Sequence, residues 1–162
     1  MEVQATMAFK PPEGEYWVPL KINSEAVATE EGFSRHIEAT LERGYTRFNE
    51  LVRTEKTISV CGFAPSLKET WKQLKGDVMA CNRAHDFLIE NGVVPRWCLL
   101  MDPLEVIAEM VTPHKSVTYL VASRCHPKVF EKLKGFRVIV WHAAGDLPVQ
   151  PILEKRGVME PL

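Results

Sequence analysis

The residue types able to hold an oxyanion or move a proton gather in five short stretches of this sequence: Gly62-Phe63-Ala64-Pro65-Ser66, Asn82-Arg83, Asp102, Ser123-Arg124-Cys125-His126, and His142. Gly62 permits a tight turn, and the free amides of a helix starting near Ser66 would suit an anion such as phosphate. Ser66-Leu67-Lys68-Glu69 reads equally well as a capping box, which accounts for Ser66 with no ligand. Asp102-Pro103-Leu104-Glu105 has an acidic N-cap, proline at the first helical position and glutamate at the third, enough to start a helix. The same carboxylate suits Mg²⁺ or a ribose hydroxyl. Asn82 either caps the segment running through Phe87 or contacts a base or sugar. Arg83 and Arg124 have the donor geometry for oxyanions, although most such arginines are solvated surface groups. His126 precedes Pro127 and fits a helix start, whereas His142 has the pKa range of an acid or base near neutrality. His85 and His114 read as surface histidines, and the GxSxG, Walker A and HExxH patterns are absent.

Each stretch follows a β-rich run: TISVC (57–61), DVMAC (77–81), RWCLLM (96–101), VTYLVA (117–122) and FRVIVW (136–141). The runs end about twenty residues apart, and their near-continuous apolar character predicts parallel strands covered on both faces. Between them, Leu67, Trp71 and Leu74 share one helical face, as do Ala84, Phe87 and Leu88, and Val129, Phe130 and Leu133. Gly76, Gly92 and Gly135 supply stops. The expected architecture is therefore α/β: a Rossmann-like, doubly wound, three-layer domain with a mostly parallel sheet of about five strands. Ligands of such sheets bind beyond the carboxyl ends of the strands, where the five stretches lie. Upstream, residues 1–23 contain Pro11, Pro12, Gly14 and Pro19 and read as an extended arm. Residues 24–51 turn helical, with Phe33, Ile37 and Leu41 in register and Gly44 as the stop. The division is an arm over 1–54 and the Rossmann-like domain over 55–162.

Composition narrows the function classes. A formal charge of −1 with interspersed signs lacks the footprint of a general nucleic-acid binder. No stretch reaches the length of a bilayer span, and no basic-then-apolar leader opens the chain, so a cytoplasmic protein is expected. Cys61, Cys81, Cys98 and Cys125 form no CxxC pair and read as buried free thiols. A metal site using Cys125, His126 and His142 is a minor reading.

The ordered segments ISVCGFAPSLKETW, DVMACNRAHDFLIENGVVPRWCLLMDP and LVASRCHPKVFEKL resemble the 6-hydroxymethylpterin diphosphokinase MptE-like family over about Lys56 to Asp146. That family is Rossmann-like and is related to flagellin-modifying and sialyltransferase-like glycosyltransferases. The resemblance implies a nucleotide-binding transferase, moving diphosphoryl from ATP or GTP to a pterin-type alcohol, or a sugar from a nucleotide sugar to an acceptor. By resemblance, the turn Gly62, Ala64, Pro65 and Ser66 holds a nucleotide phosphate, Asn82 touches base or ribose, and Asp102 positions the nucleotide or its Mg²⁺. Arg83 and Ser123 join the cofactor set, with Asp102 and His142 as catalytic candidates. Ala64 stands where the family has its second glycine. Members also continue into a second Gly-Gly-Ser turn, so the chain resembles the first half of the domain. The alternative is an inactive interaction module that keeps the fold, with homo-oligomerisation as a corollary.

Overall fold

The computed structural model describes residues 29–47, 55–142 and 149–157; the proposed arm over 1–23 lies outside them. The chain runs α1 (Glu30–Glu42), β1 (Thr46–Arg47), β2 (Ile58–Cys61), α2 (Leu67–Thr70), β3 (Asp77–Cys81), α3 (Ala84–Glu90), β4 (Trp97–Leu100), β5 (Thr118–Ala122), α4 (Pro127–Lys132), β6 (Arg137–Trp141) and α5 (Val149–Lys155). Two 3-10 segments, Trp71–Gln73 and Glu105–Glu109, complete the crossovers. All neighbouring strands are parallel, in the order β1-β6-β5-β4-β3-β2. This is an α/β Rossmann-like architecture, and each of the five apolar runs supplies one strand. Thr46–Arg47, counted with the arm in the sequence division, pairs with β6 as an edge strand.

Because β2 to β6 stand in sequence order, every connection among them steps the same way across the sheet. Right-handed crossovers then place their helical segments on one face. Burial agrees with this. Val78, Ala80, Cys98, Leu100, Tyr119, Val121, Val138 and Val140 alternate along the strands and are buried in two clusters with Leu88, Ile107, Val129 and Phe130. Their intervening neighbours on the opposite face, including Val60, Met79, Leu99, Leu120 and Ile139, are only half-buried or exposed. Of the two helical layers the apolar strands call for, the described residues thus supply one beneath the crossovers.

Helix α1 begins where the Thr29 side chain accepts from the Gly32 amide at 3.1 Å, and it is followed by Gly44 at φ +64°. It is tied to the strand ends by Thr40, whose hydroxyl donates to the Ser123 carbonyl at 3.0 Å, and it buries Ile37 against Leu153 of α5. His85 corrects the surface reading, being fully buried. Its Nδ1 lies 2.6 Å from Asp86 and its Nε2 3.0 Å from the Tyr119 hydroxyl. The Tyr119 ring lies against this histidine, with ring centroids 5.6 Å apart. The four cysteines are free thiols; Cys61, Cys98 and Cys125 are buried as expected, while Cys81 is half-buried on the open face.

Candidate functional site at the carboxyl ends of the strands

The parallel register brings all five stretches to one rim. Adjacent strands lie about 4.8 Å apart, so the Gly62, Asn82 and Asp102 turns on β2, β3 and β4 span about 10 Å, whereas Gly62 and His142 are about 19 Å apart. The sequence candidates therefore fall into two groups, one on β2–β4 and one on β5–β6.

In the first group, Gly62 to Ser66 are exposed. Gly62 does not adopt a left-handed φ, and a β-carbon there would meet nothing within 4 Å, so the fold itself does not require glycine. The capping box is not formed. Ser66 stands at the N-cap of α2 in αR geometry with no side-chain cap bond. Asn82 does not cap α3 either: Arg83 occupies the N-cap, and Asn82 adopts φ +49°. A short asparagine tolerates that conformation better than most residues. The Asn82 amide donates to the Leu99 carbonyl at 3.1 Å, while its side-chain oxygen is buried with no hydrogen-bond partner. Asp102 accepts from the Leu104 amide at 3.0 Å, and the expected helix is the 3-10 segment from Glu105, with Leu104 at its N-cap. Pro103 pushes Asp102 away from αR and delays the helical turn. Among the described residues no three His, Cys, Asp or Glu side chains are grouped to hold a metal ion, so Asp102 stands outside any such cluster.

The second group is built around a hydrogen bond. His142 Nδ1 lies 2.8 Å from the Ser123 hydroxyl, and Ser123 is 1% exposed. A side chain so enclosed orients a neighbour rather than attacking a substrate. Arg124 Nε donates to the Met101 carbonyl at 3.1 Å, and its guanidinium lies 5.3 Å from the Phe33 ring centroid, so it bridges the β4 and β5 turns. His36, unremarked in the sequence, places Nδ1 3.1 Å from the Arg124 carbonyl and meets the His126 ring edge-on at 5.0 Å. Burial holds the His36 pKa below its usual value, against the bond to the Arg124 carbonyl, with His126 and Arg35 adding to the depression. Cys125 is buried, and no three His, Cys, Asp or Glu side chains among the described residues are grouped to hold a metal ion, which removes the Cys125-His126-His142 metal reading there.

A cleft of about 390 Å³ adjoins the first group, lined by Phe63, Arg83, Phe87, Glu90, Val106 and Met110. Phe63 and Arg83 directly follow Gly62 and Asn82, and the guanidinium lies 5.7 Å from the Phe63 ring centroid. Sequence reasoning missed Phe63 and Phe87 as lining residues because it weighed polar groups at the strand ends. The signal available was their position one residue past a strand turn and on the facing helix. A second, more open cleft, lined by Thr57, Lys75 and Arg96 among others, lies at the opposite ends of the strands.

No curated protein sequence matches this chain. The structure is similar to that of the MAf glycosyltransferase from Magnetospirillum magneticum AMB-1, at a TM-score of 0.50 and 14% identity. The similarity covers 72% of this chain and 20% of that one, so the chain spans about one fifth of the glycosyltransferase's length and shares its fold. No helix among the described residues is long and apolar enough to cross a membrane. The sequence matches a family model over residues 35–158, a span holding most of α1, all six strands and all of α5, and the chain belongs to the 6-hydroxymethylpterin diphosphokinase MptE-like family.

Proposed function

We propose that this protein is a transferase-like nucleotide binder, with the nucleotide seated along the β2–β4 half of the rim. The observation that carries the reading is Asn82: a left-handed residue at a strand end with a buried side-chain oxygen that no described residue satisfies. Such an orphan costs about 1–3 kcal/mol, which an exocyclic amine or a ribose hydroxyl would recover. The phosphates of ATP, GTP or a nucleotide sugar would lie against Gly62, Ala64, Pro65 and Ser66, with Arg83 alongside and Asp102 positioning the nucleotide directly or through Mg²⁺. The transferable group would then extend toward β5–β6. An acceptor hydroxyl there forms the new bond to phosphorus or to the anomeric carbon as the nucleotide leaves. Its proton passes to His142, which Ser123 holds in place about two strand spacings, or about 10 Å, from the β4 turn.

A second reading, nucleotide binding without turnover, is favoured by Ala64, whose methyl group stands in the turn where backbone must approach phosphate closely. The test common to both is thermal unfolding of the protein with millimolar ATP, GTP and nucleotide sugars, each with and without Mg²⁺. Ligand at about 100 times its Kd adds ~2.7 kcal/mol to the native state, a clear rise in Tm. No rise with any of them removes the nucleotide reading; a rise without product in a turnover assay leaves the binding module.

A further inference from the structure

The cleft beside the Gly62 turn opens at the seam between the two large core clusters, with Phe87 packed against the β2–β3 cluster and Met110 against the β4–β6 cluster. Arg83, Phe87 and Glu90 stand at i, i+4 and i+7 and so share one face at α3. The 3-10 segment brings Val106 and Glu109, which are three residues apart and therefore eclipsed. Asp86 sets the spacing of these two walls, since its carboxylate accepts the Thr112 amide at 2.9 and 3.0 Å. Phe63 meets the Phe87 ring edge-on, with centroids 6.3 Å apart. At about 390 Å³ the cleft falls within the ~300–1,000 Å³ of small-molecule sites.

We propose that this cleft seats the base of the nucleotide and that it is built for guanine, an inference that deepens the nucleotide reading above and rests on it. The described lining holds three carboxylates, Asp86, Glu90 and Glu109, against one cation, Arg83. Such a lining repels phosphate and suits the uncharged end of a nucleotide. The length also fits. Helix α3 runs away from the rim, so Glu90 stands about 10 Å below Arg83, the reach of a nucleoside. Asp86 is taken up by His85 and Thr112, which leaves Glu90 and Glu109 as the acceptors that face a ligand. Among the common bases only guanine presents two adjacent donors, N1–H and the 2-amino group. Adenine, cytosine and uracil each set an acceptor beside their donor on that edge, which a carboxylate repels. Phe63, 49% exposed, offers ring surface for the base to stack on. Asn82, one residue before Arg83, then receives a ribose hydroxyl as the donor its buried oxygen lacks.

Isothermal titration of the full chain with GDP, IDP, ADP, CDP and UDP in the presence of Mg²⁺ tests this. GDP should bind about tenfold more tightly than ADP, CDP or UDP. IDP, which keeps N1–H but lacks the 2-amino group, should fall between them. The double variant Glu90→Ala/Glu109→Ala, at two exposed positions, should bring GDP and ADP to within about twofold of each other, with the ligand-free Tm checking that the fold is kept. Phe63→Ala should weaken all five nucleotides by about tenfold. Equal affinities across the bases, a preference for another base, or a guanine preference that survives the double variant overturns the guanine cleft and leaves the nucleotide reading standing. If none of the five binds, both readings fall.

Discussion

At Asn82 two demands meet in one side chain. The backbone needs a residue tolerant of φ +49°, and the amide carries a buried oxygen without a partner. Two substitutions separate them. Asn82→Gly relieves the left-handed strain and should leave stability unchanged or raise it by up to about 1 kcal/mol, whereas Asn82→Ala should lose about 1–2 kcal/mol. Both should abolish the nucleotide-induced rise in Tm. If Asn82→Gly keeps the full rise, Asn82 is a turn residue and nothing more. Gly62 gives the converse case: its β-carbon position is open, so Gly62→Ala should change stability by less than ~0.5 kcal/mol while weakening nucleotide binding. Denaturant curves with and without ligand measure both. The sequence placed Asn82 correctly at a strand end, yet its left-handed backbone was not legible, because asparagine serves helix caps and αL turns alike and only the following backbone decides between them.

The crossovers are held by turns whose strength differs from one to the next. Before β3, Gly76 has φ +68°, and a β-carbon there would sit 2.1 Å from the Thr57 carbonyl oxygen, which accepts the Asp77 amide at 3.1 Å. Ser59 laces the same turn, donating to the Lys75 carbonyl at 2.8 Å and accepting the Lys75 amide at 3.0 Å. Gly76→Ala must therefore push β2 and β3 apart, and a loss of at least ~2 kcal/mol in chemical denaturation is expected. Gly92→Ala, where φ is +81° but nothing lies within 4 Å, should cost only about 1 kcal/mol from the backbone alone. Glycine stops of this kind were readable in the sequence, as were all five apolar strands, because burial on a parallel sheet writes itself as a continuous hydrophobic run. Strand β1 was not readable: two residues, Thr46 and Arg47, are too few to carry a period. The 3-10 segment at Glu105–Glu109 read as an ordinary helix because its N-cap chemistry is the same for either.

Across the whole molecule, the first response to acid should come from buried histidine rather than from the surface carboxylates. Asp86 accepts from His85 and twice from the Thr112 amide, at 2.9 and 3.0 Å, while Tyr119 takes the His114 amide at 2.7 Å. These bonds staple residues 112–114 to α3 and β5. Burial raises the Tyr119 pKa to about 12, aided by the Cys98 and Asp86 charges and opposed by the His114 amide, so its hydroxyl stays protonated and donates to His85 Nε2. His85 must then be neutral, its Nδ1–H facing the carboxylate. Burial accordingly lowers its pKa, helped by His114 and opposed by Asp86. For Asp86, burial pushes upward, but the Thr112 bonds and His85 together bring its pKa below the ordinary carboxylate value. The signs agree. A histidine depressed on folding contributes stability above its unfolded pKa of about 6.5 and loses it as pH falls below that, by up to ~1.4 kcal/mol per pH unit for each proton; the Asp86 share is lost only in stronger acid. Unfolding free energy should thus begin to fall just below pH 6.5, well before the carboxylates titrate. His85→Gln should flatten the slope between about pH 6.5 and 5, leaving the part due to His36, whose pKa burial also lowers. An unchanged slope in His85→Gln would show that the buried Asp86-His85-Tyr119 chain takes no part in acid sensitivity.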